Sequence, residues 1–390
     1  MDLECFRALL TPAGQQVLQA AQAMQPQEAN YLRDYTALSR QYPPDLARVA
    51  LEIAILRGEA SVKFPFADQM YFTRPALEQA SSHEVSVYRM QRYRPFERLA
   101  DLGCSIGADT LALAALAPTL ALDLDPLRLA MAQANLRALG LGERAVFIRA
   151  DLRTPLPFQS SSGLALFFDP ARRANSRRIF SVHDYQPALS LIQAWLPSFP
   201  AAGVKVSPGV KLDELGAYDA EIEFISLHGE LKEAALWFGP LKTTRHRATV
   251  LPGPHTLTAS VDLIPLSEPR AYIYEPDPSI LRAGLVATLG AQLGAAQLDP
   301  DIAYLTADAL QPTPFARAWA VEDWFPFSLK RLRSALRDRR VGRVTVKKRG
   351  SPLQPEALIR DLKLKGDQQR VVFLTHLRGR PIVILSIGQG

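Results

Sequence analysis

Up to about residue 95 the apolar positions recur at helical spacing, most clearly in PDLARVALEIAILR (44–57), and the Ala/Gln-rich VLQAAQAM (17–24) also reads as helix. After the aromatic, turn-like KFPFADQMYFT, a further helical stretch is predicted over 74–92, with Thr73 as N-cap and Pro75 in the first turn. From about residue 97 the pattern changes. Short apolar runs at 98–102, 119–123, 145–150, 163–168 and 203–206 alternate with helical segments such as 126–139, which implies a parallel sheet covered on both faces. The order then switches. Two further strands, 221–227 and 234–238, are joined by a link that turns at His228-Gly229 and is too short for a helical crossover, so they should be antiparallel. The tail carries strand-like runs at 343–346 and 371–375, a helix near 355–363 and a final apolar run at 381–387. The expected fold is α/β: parallel strands plus an antiparallel final hairpin, an N-terminal helical region and a C-terminal α+β module. The expected divisions are 1–95, 96–255, a linker with a small module at 256–318, and 319–390.

A chain of 390 residues suggests two or three domains, and 48% hydrophobic with 22% charged residues is ordinary for a soluble globular protein. No apolar run approaches the ~20 residues needed to span a bilayer. The start, MDLECFRALL, lacks a basic stretch followed by an apolar block, so no secretory leader is expected. The two cysteines, Cys5 and Cys104, make no disulfide framework and fit a reducing, cytoplasmic setting. The six histidines are scattered without metal-ligand spacing, so no metal is expected. Charge is unevenly placed. Residues 321–390 hold sixteen Lys/Arg against six Asp/Glu, a net of +10, while the other 320 residues hold 29 against 33, a net of −4. A basic end on a neutral to acidic body suits an appended nucleic-acid module; a solvated basic face or a patch for an acidic protein stays open.

Candidate chemistry falls at the ends of successive strands, where ligands of open α/β sheets bind. In the loop DLGCSIG (101–107), Gly103 and Gly107 let the backbone approach a ligand, and a helix starting near Asp109 offers free N–H groups. Ser105 stands where a middle glycine is usual. Asp101 is placed for the cationic end of a cofactor. Asp123, ending TLALD, can accept two hydrogen bonds from a ribose diol, whereas Asp125 of Asp-Pro reads as an N-cap. Asp151 is placed for an adenine amine or for capping its own turn. Asp169-Pro170 closes the strand LALFF.

The runs DLGCSIGADTLALA, ALDLDPLRLAMAQANL, FFDPARR and KVSPG resemble class I S-adenosylmethionine-dependent methyltransferases. With ALEQASSHEV, ISLHGELKEAALWFG, YEPDPSILRAGL, AYLTAD and VTVKKRG, the chain is similar over roughly residues 60–390 to bacterial methyltransferases with a C-terminal THUMP-like domain. The resemblance implies a Rossmann-like sheet, a ferredoxin-like module at 270–318 and a THUMP-like domain at 319–390; THUMP domains elsewhere bind structured RNA. It implies S-adenosylmethionine as cofactor, held by Asp101, Gly103, Cys104, Ser105, Gly107, Asp109, Asp123, Leu124, Asp151, Leu152 and Gln79.

For the acceptor, carbon-5 pyrimidine chemistry needs a cysteine nucleophile, and neither Cys104 in the cofactor loop nor Cys5 is a credible one. Exocyclic-amine enzymes usually carry Asn/Asp-Pro-Pro-aromatic; here Asp169-Pro170 is kept and Ala171-Arg172 replaces the rest. Asp169, Pro170 and Arg172 are the catalytic candidates. Lys205 is either an acid/base or an ion-pair partner for a strand-end aspartate. Phe64, Phe66, Tyr71 and Phe72 line an acceptor pocket or belong to the core. Arg173, Arg343, Lys347, Lys348 and Arg349 are the candidate RNA contacts. The function expected is methylation of structured RNA, tRNA or rRNA, at a base nitrogen. The alternatives are a small-molecule or protein methyltransferase using the tail for assembly, and a non-catalytic RNA-binding protein.

Overall fold

A computed structural model describes residues 1–161, 163–170, 173–174, 177–178, 181–259 and 261–387, with backbone alone at 173–174 and 177–178. The chain divides into two compact units, 1–221 with 233–243, and 222–232 with 244–390.

The first unit opens with four helices, α1 (Leu3–Leu9), α2 (Pro12–Ala23), α3 (Tyr31–Ser39) and α4 (Pro44–Ala60). Asp2 and Thr11 cap α1 and α2 with their side chains. The aromatics Phe64, Tyr71 and Phe72 join the core these helices form, with Phe66 packed against it; this decides for the core role over the acceptor pocket. The helix expected over 74–92 is instead two, α5 (Arg74–Gln79) and α6 (His83–Met90). Lys63 Nζ takes the carbonyls of Leu77 at 2.7 Å and Ala80 at 3.0 Å, satisfying the end of α5 where Ala80 turns extended. Thr73 does cap α5.

Strands β1 (Arg98–Leu102), β2 (Thr119–Asp123), β3 (Ala145–Arg149) and β4 (Leu164–Phe168) are parallel, with β1 central between β2 and β4. Two short strands follow, β5 (Arg173–Ala174) and β6 (Arg177–Arg178), and then β7 (Ala202–Val206), parallel to β4. Helices α7 (Ala108–Leu116) and α8 (Pro126–Ala138) make the crossovers after β1 and β2; α9 (Leu191–Trp195) precedes β7. Asp125 caps α8 through the N–H groups of Leu127 and Arg128, as its Asp-Pro context implied. The α7–α8 face is covered by the N-terminal helices, so Ile106, Leu111, Met131 and Leu136 share one core with Phe6, Leu18 and Ile53. Asn135 of α8 ties the segment before α5 to the loop after β1. Its amide exchanges hydrogen bonds with the Tyr71 backbone and donates to Ile106 O at 2.9 Å.

β8 (Glu221–Leu227) is followed by β9 (Glu230–Phe238), and both turn residues, His228 and Gly229, are left-handed. β9 then runs antiparallel to β7, which reverses the direction of the sheet. In the second unit β10 (His246–Leu251) lies parallel to β8, and β11 (His255–Thr258) folds back on it, within what read as connector. The rest is one seven-stranded sheet in the order β13 (Ala296–Asp299), β14 (Ile302–Ala307), β12 (Tyr272–Pro276), β15 (Ala316–Pro326), β18 (Arg380–Ile387), β17 (Gln368–Leu377) and β16 (Val341–Lys348). The long β15 pairs with β12 on one side and β18 on the other, so the stretches on either side of residue 318 share one sheet. Helices α10 (Pro278–Arg282) and α11 (Val286–Gln292) follow β12; α12 (Leu329–Asp338) and α13 (Pro355–Leu362) bury Leu332, Leu336, Leu358 and Leu362 against Val372, Leu374, Val383 and Leu385.

Candidate functional site

The carboxyl ends of β1, β2, β3 and β4 open onto a cavity of about 580 Å³. Parallel register makes this inevitable: Asp101 lies beside Ala121 and Phe167, so successive strand ends reach the same edge. Gln79, Asp101, Gly103, Cys104, Ser105, Asp109, Asp123, Leu124, Asp151, Leu152, Asp169 and Pro170 all line it. Gly107 stands behind the wall at φ +81, where an added Cβ would come within 3.1 Å of Ala132 and Leu136. Gly103, at φ +89, faces the Asp169 carbonyl, 2.8 Å from where its Cβ would be. Both positions therefore demand glycine. Ser105 is itself left-handed, at φ +49, so the missing middle glycine is met by a strained serine.

The acidic groups differ in their partners. Asp123 accepts from Ser105 N at 2.8 Å and Asp125 N at 2.9 Å, which fixes the loop; burial pushes its carboxyl up despite these donors. Asp101 is fully buried. One oxygen accepts from Thr110 Oγ1 at 2.5 Å and the other has no partner. Burial, with Asp109 close by, pushes the Asp101 carboxyl well above the usual carboxylate range. Burial acts the same way on Asp109, but Arg89, Lys205 and the Ser86 hydroxyl outweigh it and hold Asp109 below its ordinary value. Asp151 accepts from both the backbone and the guanidinium of Arg153, which lowers it to about 2. Its turn-capping role is thus realised at the cavity wall.

Asp169 is pinned by Lys205, whose ammonium lies 2.8 Å from Oδ2 and 3.3 Å from the Gln79 carbonyl. Lys205 is thereby an ion-pair partner of the strand-end aspartate. Burial pushes the Cys104 thiol far above its normal value, which disfavours the thiolate a nucleophile needs. Arg172 lies outside the described residues; Arg173 belongs to β5 by its backbone.

Sequence reasoning missed the support behind the cavity. Arg89 of α6 has no exposed surface and pairs with Asp109 and with Glu233 of β9, while Ser81 Oγ donates to Glu233 at 2.7 Å. No spacing in the chain signals a contact between α6 and β9. It also missed Gln186, Pro187 and Ala188, which close another side of the cavity.

In the second unit, Arg343 and Lys348 are exposed on β16. Lys347 pairs with Glu275 and stacks over Trp319; Arg349 lies 3.9 Å from the same Glu275 and over Tyr304. Two of these four cations are therefore engaged internally, sharing the single charge of Glu275. Among the described residues no group of His, Cys, Asp and Glu is arranged for a metal ion, and no helix is long and apolar enough to cross a membrane.

A family model described as THUMP domain-like matches residues 316–386, and a domain of unknown function (DUF8688) matches residues 2–60. Two curated relatives from Mycobacterium tuberculosis, strains CDC 1551 / Oshkosh and ATCC 25618 / H37Rv, are 35% identical over 85% of this chain and 94% of their own length. Each is named an uncharacterized S-adenosylmethionine-dependent methyltransferase. A crystal structure from Porphyromonas gingivalis W83, provisionally assigned as a methyltransferase, aligns with a TM-score of 0.74 at 21% identity, covering 94% of this chain and all of that one. It shares the fold.

Proposed function

Because the chain belongs to the S-adenosylmethionine-dependent methyltransferases, we propose that it methylates a base nitrogen of structured RNA, tRNA or rRNA, at Asp169. The residues at the strand ends suit that cofactor. Asp101 keeps a buried oxygen without a partner, apt for an ammonium group, and Asp123 is apt for a ribose diol. Asp151 and Leu152 are apt for the adenine, and the glycines at 103 and 107 leave the backbone free to approach. When bound, the cofactor supplies a methyl group activated on a sulfonium.

The remaining work is alignment and the handling of one proton. Asp169 is the candidate for both. Lys205 holds one of its oxygens, so the carboxylate stays fixed at the cavity wall as an acceptor for a base amine. Pro170 restricts the backbone beside Asp169, and Arg172 and Arg173 supply positive charge for a phosphate or a base face. The pinned Asp169 in a cavity with no competent thiol is the observation that carries a nitrogen acceptor. RNA is supported by the THUMP-like match and by the basic tail, in which Arg343 and Lys348 are exposed on β16.

The test is nucleotide mapping of total RNA from a strain lacking the gene. A methyl mark should vanish and return on complementation with the wild-type chain, and not with Asp169→Ala. An unchanged RNA profile overturns the RNA reading. The engagement of Lys347 and Arg349 by Glu275 favours a second reading, a small-molecule or protein acceptor with the tail used for assembly; it predicts no salt-dependent RNA affinity.

A further inference from the structure

Asp101 is surrounded by more negative than positive charge. Asp109 and Thr110 face it from α7, Asp169 from the end of β4, and Tyr93 from the turn after α6. Cys104 belongs to its own loop. The cations nearby are already committed: Arg89 to Asp109 and Glu233, and Lys205 to Asp169. One Asp101 oxygen takes the Thr110 hydroxyl, and the other is buried, without a partner, on a residue lining the cavity. An ionised carboxylate in that setting has no counter-charge; a neutral carboxyl needs none.

From this geometry we propose that Asp101 carries a proton in the cofactor-free protein and releases it when the cofactor's positively charged amino group enters, so that cofactor binding expels a proton. The inference rests on the cofactor reading above. The balance is simple. The Asp101 carboxylic acid and the ligand ammonium become a carboxylate–ammonium pair, and the O–H proton leaves to solvent. No bond to carbon changes and no electron moves. The direction agrees with the upward push that burial exerts on this carboxyl. Affinity should then weaken as pH falls, because protons compete with the ligand for the same oxygen.

The experiment is calorimetric titration of the full chain with S-adenosylmethionine at pH 6.5, where the ligand amine is already protonated, in several buffers of different ionisation enthalpy. The expected result is release of close to one proton per site. Methylthioadenosine, which has the ribose and adenine but no amino-acid end, should bind with no release. This control separates Asp101 from Asp123, whose proton would leave with either ligand. Asp101→Asn should bind S-adenosylmethionine more weakly and without release. Absence of proton release on binding, equal release with methylthioadenosine, or persistent release from folded Asp101→Asn overturns the proposal. If Asp101→Asn does not fold, the methylthioadenosine comparison decides. No binding of S-adenosylmethionine at all would instead overturn the cofactor reading on which the proposal stands.

Discussion

Arg89→Met removes the cation that the buried support of the cavity depends on. Arg89 is wholly buried, pairs with Asp109 and Glu233, and holds its guanidinium 4.6 Å from the centroid of the Phe167 ring. Methionine replaces the volume and not the charge. Two carboxylates are then left in the interior, and losing one member of a buried ion pair costs about 3–5 kcal/mol. The lost cation–π contact adds about 1 kcal/mol. Against a total of ~5–15 kcal/mol this is a large fraction, and it should lower Tm on the order of 10 °C. The pH dependence carries the sharper signature. In the wild type Asp109 is depressed, so its contribution is present above the unfolded value near ~3.9 and fades as pH falls through the folded one. Without Arg89, burial dominates and the sign reverses. The folded carboxyls bind protons more readily than the unfolded ones, and the variant gains stability as pH falls. The deficit should therefore be largest at pH 7 and shrink towards pH 5, measured by urea unfolding followed by tryptophan fluorescence. The triple variant Arg89→Met/Asp109→Asn/Glu233→Gln should recover most of the loss, because no unpaired charge remains. A deficit under about 1 kcal/mol at pH 7, or one constant down to pH 5, refutes the reasoning.

Two loop substitutions should move in opposite directions. Gly103→Ala places a Cβ 2.8 Å from the Asp169 carbonyl in left-handed backbone, costing about 2 kcal/mol or more and weakening S-adenosylmethionine binding in calorimetry. Ser105→Gly relieves a left-handed serine and should raise stability by about 0.5 kcal/mol, the strain relief less the entropy glycine adds to the unfolded chain; a lower urea midpoint counts against it. In the tail, Arg343→Ala and Lys348→Ala should each reduce the salt slope of RNA binding by about one. Lys347→Ala should reduce it less, since Glu275 already takes that charge; equal effects in a filter-binding series would show that the ion pair does not govern availability.

How much of this was legible in the chain depended on the range of the interaction. β1, β2 and β8 span the same residues as the runs read as strands, and in β1 and β2 the centres are apolar because burial on both faces favours it. The strand-end aspartates were legible for the same reason: the first polar residue after such a run sits at the sheet edge. The break between α5 and α6 was not, since the groups that satisfy the end of α5 come from Lys63, on another segment.

The local pattern of apolar and polar residues was therefore enough to establish the parallel sheet, its antiparallel last strand and the ring of carboxylates at one edge. Periodicity is a property of neighbours in the chain, and burial enforces it residue by residue. The states of those carboxylates needed the tertiary structure. Asp101, Asp109 and Asp169 are the same chemical group, at the end of β1, the start of α7 and just past β4, yet one is left without a counter-charge, one is held by Arg89 and one by Lys205. The tail behaves likewise, where Glu275, shared by Lys347 and Arg349, offsets one charge of a cluster that reads as uniformly basic. Charge is compensated through space, by groups that folding brings together from distant parts of the chain, and one-dimensional spacing carries no record of that pairing.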